Sequence, residues 1–210
     1  MDEALAGVIT VGGDAGLLLA RHGQTDDNLE PIRAQGFTDT PLNATGIEQA
    51  KALAERVATG FAASAASSRE VEAEVEVASL WSSDLSRALT TARIVGERIG
   101  LEPQIDARLR EGDRGDWEGR LFVDIKRDDP DGYAAWMRAG ADFRFPGGES
   151  LKEQSDRVWA ALSDIRASGP LPALVVCHRG SIRTVLCRFD PRGLDSFHEH
   201  DVPNTGVVAL

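Results

Sequence analysis

Two histidines, two arginines and one acidic, glycine-rich loop are the residues of this chain whose types and spacing suit chemistry. The first group is Arg21-His22-Gly23, at the end of the apolar run Leu17-Leu18-Leu19-Ala20. An arginine fork anchors phosphate or carboxylate. The imidazole beside it suits a nucleophile, an acid or base, or a hydrogen-bond donor. Gly23 removes a side chain where a ligand needs close approach to backbone. His178 repeats the arrangement, following the apolar run Ala173–Cys177 with Gly180 close behind. Arg87 falls in the first turn of a predicted helix, where unpaired N–H groups and the helix dipole favour an anion. Taken alone it also reads as an ordinary solvated arginine. The segment Leu109–Gly119 (LREGDRGDWEG) mixes glycine, carboxylates and tryptophan, which fits a site wall better than a linker. Spacing alone does not single out one of its carboxylates. His198 and His200 could hold a metal, but no third ligand is evident and no Cys/His grouping has zinc spacing.

The elements that must position these groups alternate between strand and helix. Leu17–Arg21 and Ala173–Cys177 are apolar throughout, as strands buried on both faces are. In open α/β sheets such strands present ligand-binding residues at their carboxyl ends. Val77–Trp81 and Leu101–Ile105 read as further strands, and Thr205–Leu210 as the last. Asn43 caps a predicted helix to about Ala58, with Ile47, Ala50, Ala54 and Val57 on one face. Ser82-Ser83-Asp84 caps a second, over about 84–99, which Gly100 ends. Two short helices split at Pro130 are expected over 120–140, where Tyr133 and Trp136 read as core. Ser150 and Glu153 form a capping box for a helix to about Ala167. A last helix follows His178, with Ile182, Val185, Leu186 and Phe189 on one side. Residues 1–16 read as an arm or edge strand, 60–76 as an exposed insertion, and 120–150 as a cap over the site. The loop 22–42, punctuated by Pro31, Gly36 and Pro41, is long enough to be functional. It offers Asn28, Arg33 and Gln35 as ligand contacts.

Length and charge bound the function. The chain has 210 residues and a formal net charge of −11, which suits one α/β domain and argues against a nucleic-acid partner. A few arginines in one cleft can still make a local anion site. Cys177 and Cys187 lie in apolar surroundings and read as buried free thiols. The N-terminus does not read as a signal peptide, and no apolar run reaches membrane-spanning length. A soluble, cytoplasmic protein with no membrane partner is expected. The oligomeric state is unset, with a homodimer among the options.

The motifs taken in order resemble the histidine phosphatase superfamily, also called phosphoglycerate mutase-like. They are Arg21-His22-Gly23-Gln24-Thr25 with Asn28, then Gln35-Gly36, Asp39-x-Pro41-Leu42, and Ser82-Ser83-Asp84-Leu85-x-Arg87-Ala88. Leu109-Arg110-Glu111, Gly115-Asp116-Trp117-Glu118-Gly119, Gly147-Gly148-Glu149-Ser150 and His178 complete the set. The resemblance runs from about Leu17 to Leu210. It implies a three-layer α/β/α fold with a mainly parallel central sheet, as a single domain over 1–210. It implies that Arg21, Arg87, His22 and His178 surround one phosphoryl group, with His22 the nucleophile and His178 a hydrogen-bond donor. Glu111 is implied as the proton donor to the leaving oxygen and then the base for water. That role needs a proton on Glu111, so burial or substrate charge is expected to raise its pKa. Activity is expected to fall at high pH as Glu111 loses its proton and at low pH as His22 gains one. Substrate contacts are assigned to Asn28, Gln24, Thr25, Arg33 and Arg179. No metal and no cofactor are implied.

The chain departs from its relatives at Arg179, where many carry glycine, which puts a cation at the pocket mouth or turns it to solvent. Phosphoglycerate mutases usually carry Arg and Tyr after the glutamate and Asn two places after the second histidine. Here those places hold Gly112, Arg114 and Gly180, which favours hydrolysis of a small phosphorylated substrate over mutase transfer. A mutase and a non-catalytic phospho-ligand binding module are the alternatives. Sugar phosphates, phosphoglycerate derivatives and nucleotide-like monoesters all remain as substrates.

Overall fold

A computed structural model describes residues 8–10, 16–60 and 76–210. The expectation of an exposed insertion at 60–76 falls almost wholly outside these residues, as does most of the 1–16 arm. Six strands form one sheet: β1 (Val8–Thr10), β2 (Leu17–Arg21), β3 (Ser79–Ser82), β4 (Gln104–Ile105), β5 (Ala173–Cys177) and β6 (Val207–Ala209). Their order is β1-β6-β2-β5-β3-β4, and every pairing is parallel except β2 with β6. The short stretch at Val8 is thus an edge strand. The expected strand over 101–105 shortens to two exposed residues, Gln104 and Ile105, which have only β3 to pair with.

Side-chain alternation along β2 explains why its sequence is apolar without a break. Leu18 and Ala20 face helices α1 (Ala44–Ala58) and α2 (Ser86–Ile99), against Leu53, Val57, Ala92 and Val95. Leu17 and Leu19 face the opposite layer, formed by α5 (Leu151–Ser168) and α6 (Arg179–Leu186), against Val158, Leu162, Ile182 and Val185. Each strand leucine is almost wholly buried, which is worth about 2 kcal/mol in apolar transfer. Asn43 caps α1 by accepting from Gly46 N, and the Ser150–Glu153 capping box opens α5. Gly100, at φ 75°, ends α2. α6 stops at Leu186, so Phe189 leaves the expected apolar face and stands half exposed.

The two short helices expected over 120–140 are α3 (Phe122–Asp128) and α4 (Pro130–Arg138). Trp136 on α4 packs with Trp117, Phe143, Phe145 and Phe197 in a third apolar cluster beside the sheet's carboxyl edge. Tyr133 packs only partly buried against that cluster and lines a neighbouring chamber.

Candidate active site

The parallel register of β2 and β5 decides the geometry. Arg21 pairs with Cys177, so the next residues, His22 and His178, leave the sheet side by side with ring centroids 5.2 Å apart. β3 ends next to β5, and Ser83 Oγ lies 2.9 Å from His178 Nε2. Ser83 was expected to cap α2. Its oxygen instead accepts from Leu85 N and stands within hydrogen-bond distance of His178 Nε2. His178 Nδ1 is buried and has no partner among the described residues. In His22, Nδ1 lies 2.6 Å from Gly23 O, so that nitrogen carries the proton and Nε2 keeps its lone pair. Gly23 serves the fold here: a Cβ would overlap the backbone of Gly46, where the loop after β2 crosses the start of α1.

Both arginines are buried and incompletely satisfied. Arg21 Nη1 donates to Val202 O, while its Nε has no partner among the described residues. Arg87 is fully buried, which removes the solvated reading. Its Nη1 and Nη2 donate to Thr38 O and Gly36 O, and its Nε has no partner among the described residues. Burial brings the Arg21 guanidinium down to about 9, helped by Arg179, and that of Arg87 down to about 10. Buried donors are nearly always paired in folded proteins. Three orphaned donors around His22 therefore mark a place for an anion.

Glu111 is seated by three donors: Gly112 N and Gln154 Nε2 on Oε1, and Gly180 N, from the start of α6, on Oε2. A Cβ on Gly180 would overlap Glu111 Oε1, so the glycine is required for this seat. Arg157 holds the loop from behind by donating to the carbonyls of Arg108, Arg110 and Glu111. The expectation of a raised pKa on Glu111 is overturned. Burial, the largest influence, pushes it up, but Arg114, the two amides and Arg87 together outweigh burial and bring it down to about 2. Glu111 is thus held as a carboxylate.

Arg21, His22, Asn28, Arg33, Glu111 and Arg179 line one cavity of about 30 Å³, so Arg179 turns toward the pocket. Gln35 and Arg114 line it too. Gln24 and Thr25 are not brought to it. Gln24 accepts from Asn43 and Thr25 is fully buried against Gln35 and Asn28, so both hold the loop rather than face a ligand. His198 bonds Trp136 O and His200 bonds Ser196, and no group of three metal-ligating side chains occurs among the described residues.

Sequence reading missed Arg114, Gln154 and Asn204. Asn204 donates to His22 O and Asn28 Oδ1 from the far end of the chain, and no local signal announces it. Gln154 had one: it sits between Leu151 and Val158 on the apolar face of α5, where a polar residue needs a buried partner.

A family model described as the histidine phosphatase superfamily (branch 1) matches residues 17–210. The chain belongs to the histidine phosphatase superfamily. It is 40% identical over 147 residues to "Probable phosphoglycerate mutase GpmB" of Enterobacter sp. (strain 638), across 70% of this chain and 60% of that protein. It therefore spans less than two thirds of that relative's length. It is 36% identical over 175 residues to glucosyl-3-phosphoglycerate phosphatase of Mycobacterium tuberculosis, across 79% and 71% of the two chains. A mycobacterial glucosyl-3-phosphoglycerate phosphatase solved with VO3 superposes with a TM-score of 0.76 at 30% identity, covering 92% of this chain and 90% of that one. This histidine phosphatase superfamily member shares with such structures a mostly parallel sheet flanked by helices.

The two site histidines make a stability prediction. Burial, then the neighbouring His178 and arginines, hold His22 well below 6.5, and burial with Arg87 does the same for His178. Both rings stay neutral when folded but protonate at about 6.5 when unfolded. Unfolding below that pH takes up a proton at each ring, so their contribution is complete above about 6.5 and lost on acidification. The expected loss is about 1.4 kcal/mol per pH unit for each ring. The urea midpoint should drop clearly from pH 7.5 to 5.5; a flat profile across that range would contradict two neutral buried imidazoles.

Proposed function

We propose that this chain is a metal-independent phosphomonoester hydrolase that acts on a small phosphorylated metabolite through a phosphohistidine at His22. Residues 1–210 act as one histidine phosphatase domain, with 120–150 covering the site. The observation that carries this reading is the orientation of His22. Gly23 O fixes the proton on Nδ1, and the free Nε2 shares a cavity with Arg21 and Glu111. His22 Nε2 attacks phosphorus while the bond to the leaving oxygen breaks. Arg21, Arg87 and His178 Nδ1 take the charge on the phosphoryl oxygens. Glu111 gives the leaving oxygen its proton, and as a carboxylate then takes one from the water that cleaves the N–P bond.

The proton enters with the substrate. Glu111 is held ionised by its neighbours, and a phosphomonoester loses its second proton near pH 6, so the monoanionic ester delivers the proton that Glu111 passes on. The charge comes from guanidinium and imidazole groups rather than from a carboxylate-rich cage of the kind hard divalent cations require.

Hydrolysis is favoured over transfer by the seat of Glu111. The place where mutases carry Asn is Gly180, and a side chain there would displace the carboxylate. That mycobacterial glucosyl-3-phosphoglycerate phosphatase has been solved with VO3 and with inorganic phosphate, which supports an oxyanion ligand for this chain. In the presence of a chelator, phenyl phosphate should yield stoichiometric free phosphate, and 3-phosphoglycerate should give free phosphate in excess of its 2-phospho isomer. Activity abolished by chelator and restored by metal would overturn the metal-free mechanism. Isomer in excess of phosphate would favour the mutase.

A further inference from the structure

Beside the phosphoryl cavity lies a second chamber of about 370 Å³. Arg179, Ile32 and Phe122 line both spaces, so the two adjoin. One wall of the chamber is apolar, with Ile32, Phe122, Tyr133, Trp136 and Met137. The other is cationic. Arg179 forms no ion pair or hydrogen bond among the described residues. Arg183, one α6 turn further on, uses only its Nε, donating to His200 O, and keeps its Nη groups free among those residues. On the phosphoryl side stands Arg114, 7% exposed and stacked on Phe145 and Trp136 at 4.3 and 4.9 Å. Its Nε and Nη1 are buried without a partner among the described residues, and Nη2 lies 3.9 Å from Glu111.

Three guanidinium groups thus run from the leaving-group side of Glu111 into the chamber. Glu30 is the one carboxylate of the chamber lining, and Lys126 shares that lining. Holding like charges together in a half-buried space is unfavourable unless an anion joins them. The transferred phosphoryl group already has Arg21, Arg87 and His178. It leaves Arg183, which lies outside its cavity, without a ligand.

We propose that Arg114, Arg179 and Arg183 form a second anion subsite, and that the substrate is a phosphomonoester whose organic part carries a further carboxylate or phosphate. This rests on the proposed function for the placement of the transferred group at His22. The apolar wall takes the body of the leaving group, and the arginines select its charged end. Arginine suits both anions through bidentate contacts.

Binding of non-hydrolysable phosphonates to the full chain tests this without requiring turnover. Phenylphosphonate is compared by calorimetry with its 3-carboxy, 3-carboxamido and 3-phosphono derivatives. The carboxylate or the second phosphonate should bind at least about tenfold more tightly than the neutral carboxamide, as a charged hydrogen bond predicts. Whichever one gains identifies the anion. Arg179→Gln and Arg183→Gln should each cut that preference to below about threefold, and Arg183→Lys should keep part of it. Equal binding of charged and neutral probes by the wild type overturns the subsite, as does a preference that survives both glutamine variants. Phenyl phosphate hydrolysis in chelator is measured on the same protein. Turnover without charge preference refutes the subsite alone, whereas charge preference without turnover refutes the hydrolase reading and leaves the subsite standing.

Discussion

Replacing His22 by alanine is expected to lower turnover of any phosphomonoester by on the order of 10⁴-fold or more, the scale seen when a covalent nucleophile is removed. The orphaned donors of Arg21, Arg87 and His178 remain in the variant, so phosphate should still bind. What disappears is the nitrogen that accepts the phosphoryl group. The wild type, quenched in denaturant during turnover of labelled substrate, should carry label that survives alkali and is released by acid, as a phosphoramidate does. His22→Ala should carry none. The ring's one polar contact among the described residues is to its own neighbour, Gly23 O, so the variant leaves no distant group unpaired. A folded His22→Ala protein that binds phosphate and keeps turnover within tenfold of wild type would sink the covalent mechanism.

Glu111→Gln should separate esters by leaving group. An alkyl phosphate needs a proton on its departing oxygen and should lose about 10²–10⁴-fold, the usual worth of general acid catalysis. A nitrophenyl phosphate leaves without help and should lose far less. Glutamine can keep Gly112 N and Gln154 Nε2 on its carbonyl oxygen, but its NH2 then stands where Oε2 accepts from Gly180 N, so that amide loses its acceptor. The pH profile supplies an independent reading. With Glu111 at about 2 in the free protein, kcat/KM for an alkyl ester should fall above about pH 6 because the substrate loses its proton. A substrate of lower second pKa should carry that limb to lower pH by the same amount. The acid limb expected from protonation of His22 near 6.5 should be absent there, since burial keeps that ring neutral to well below this value. A Gln variant with undiminished alkyl ester turnover would remove Glu111 from the chemistry.

The chain's local patterns carried much of this site. Apolar runs ending in His22 and His178 follow from strands buried on both faces, and the helices near Asn43 and Ser150 follow from their caps. Those patterns are local, so they are legible along the chain. The pairing of strands is not. Only the β2–β5 register puts the two histidines in contact, and only the neighbouring end of β3 gives His178 Nε2 the Ser83 hydroxyl as its partner.

Charge state was the least legible property. Burial alone predicts a protonated Glu111, and the sequence holds no sign that Gly180, sixty-nine residues away, donates to it or that Arg114 stacks beside it. Arg87 shows the same limit, since a solvated and a buried arginine look alike in a helix pattern. By itself, then, the sequence determined the residue types, the order of the elements and the family. The tertiary structure decided which nitrogen of each histidine is free, which carboxylate is ionised and which arginines are left without partners. Periodicity and capping act between neighbours in the chain, whereas protonation and hydrogen-bond satisfaction depend on groups that only folding brings within a few ångströms.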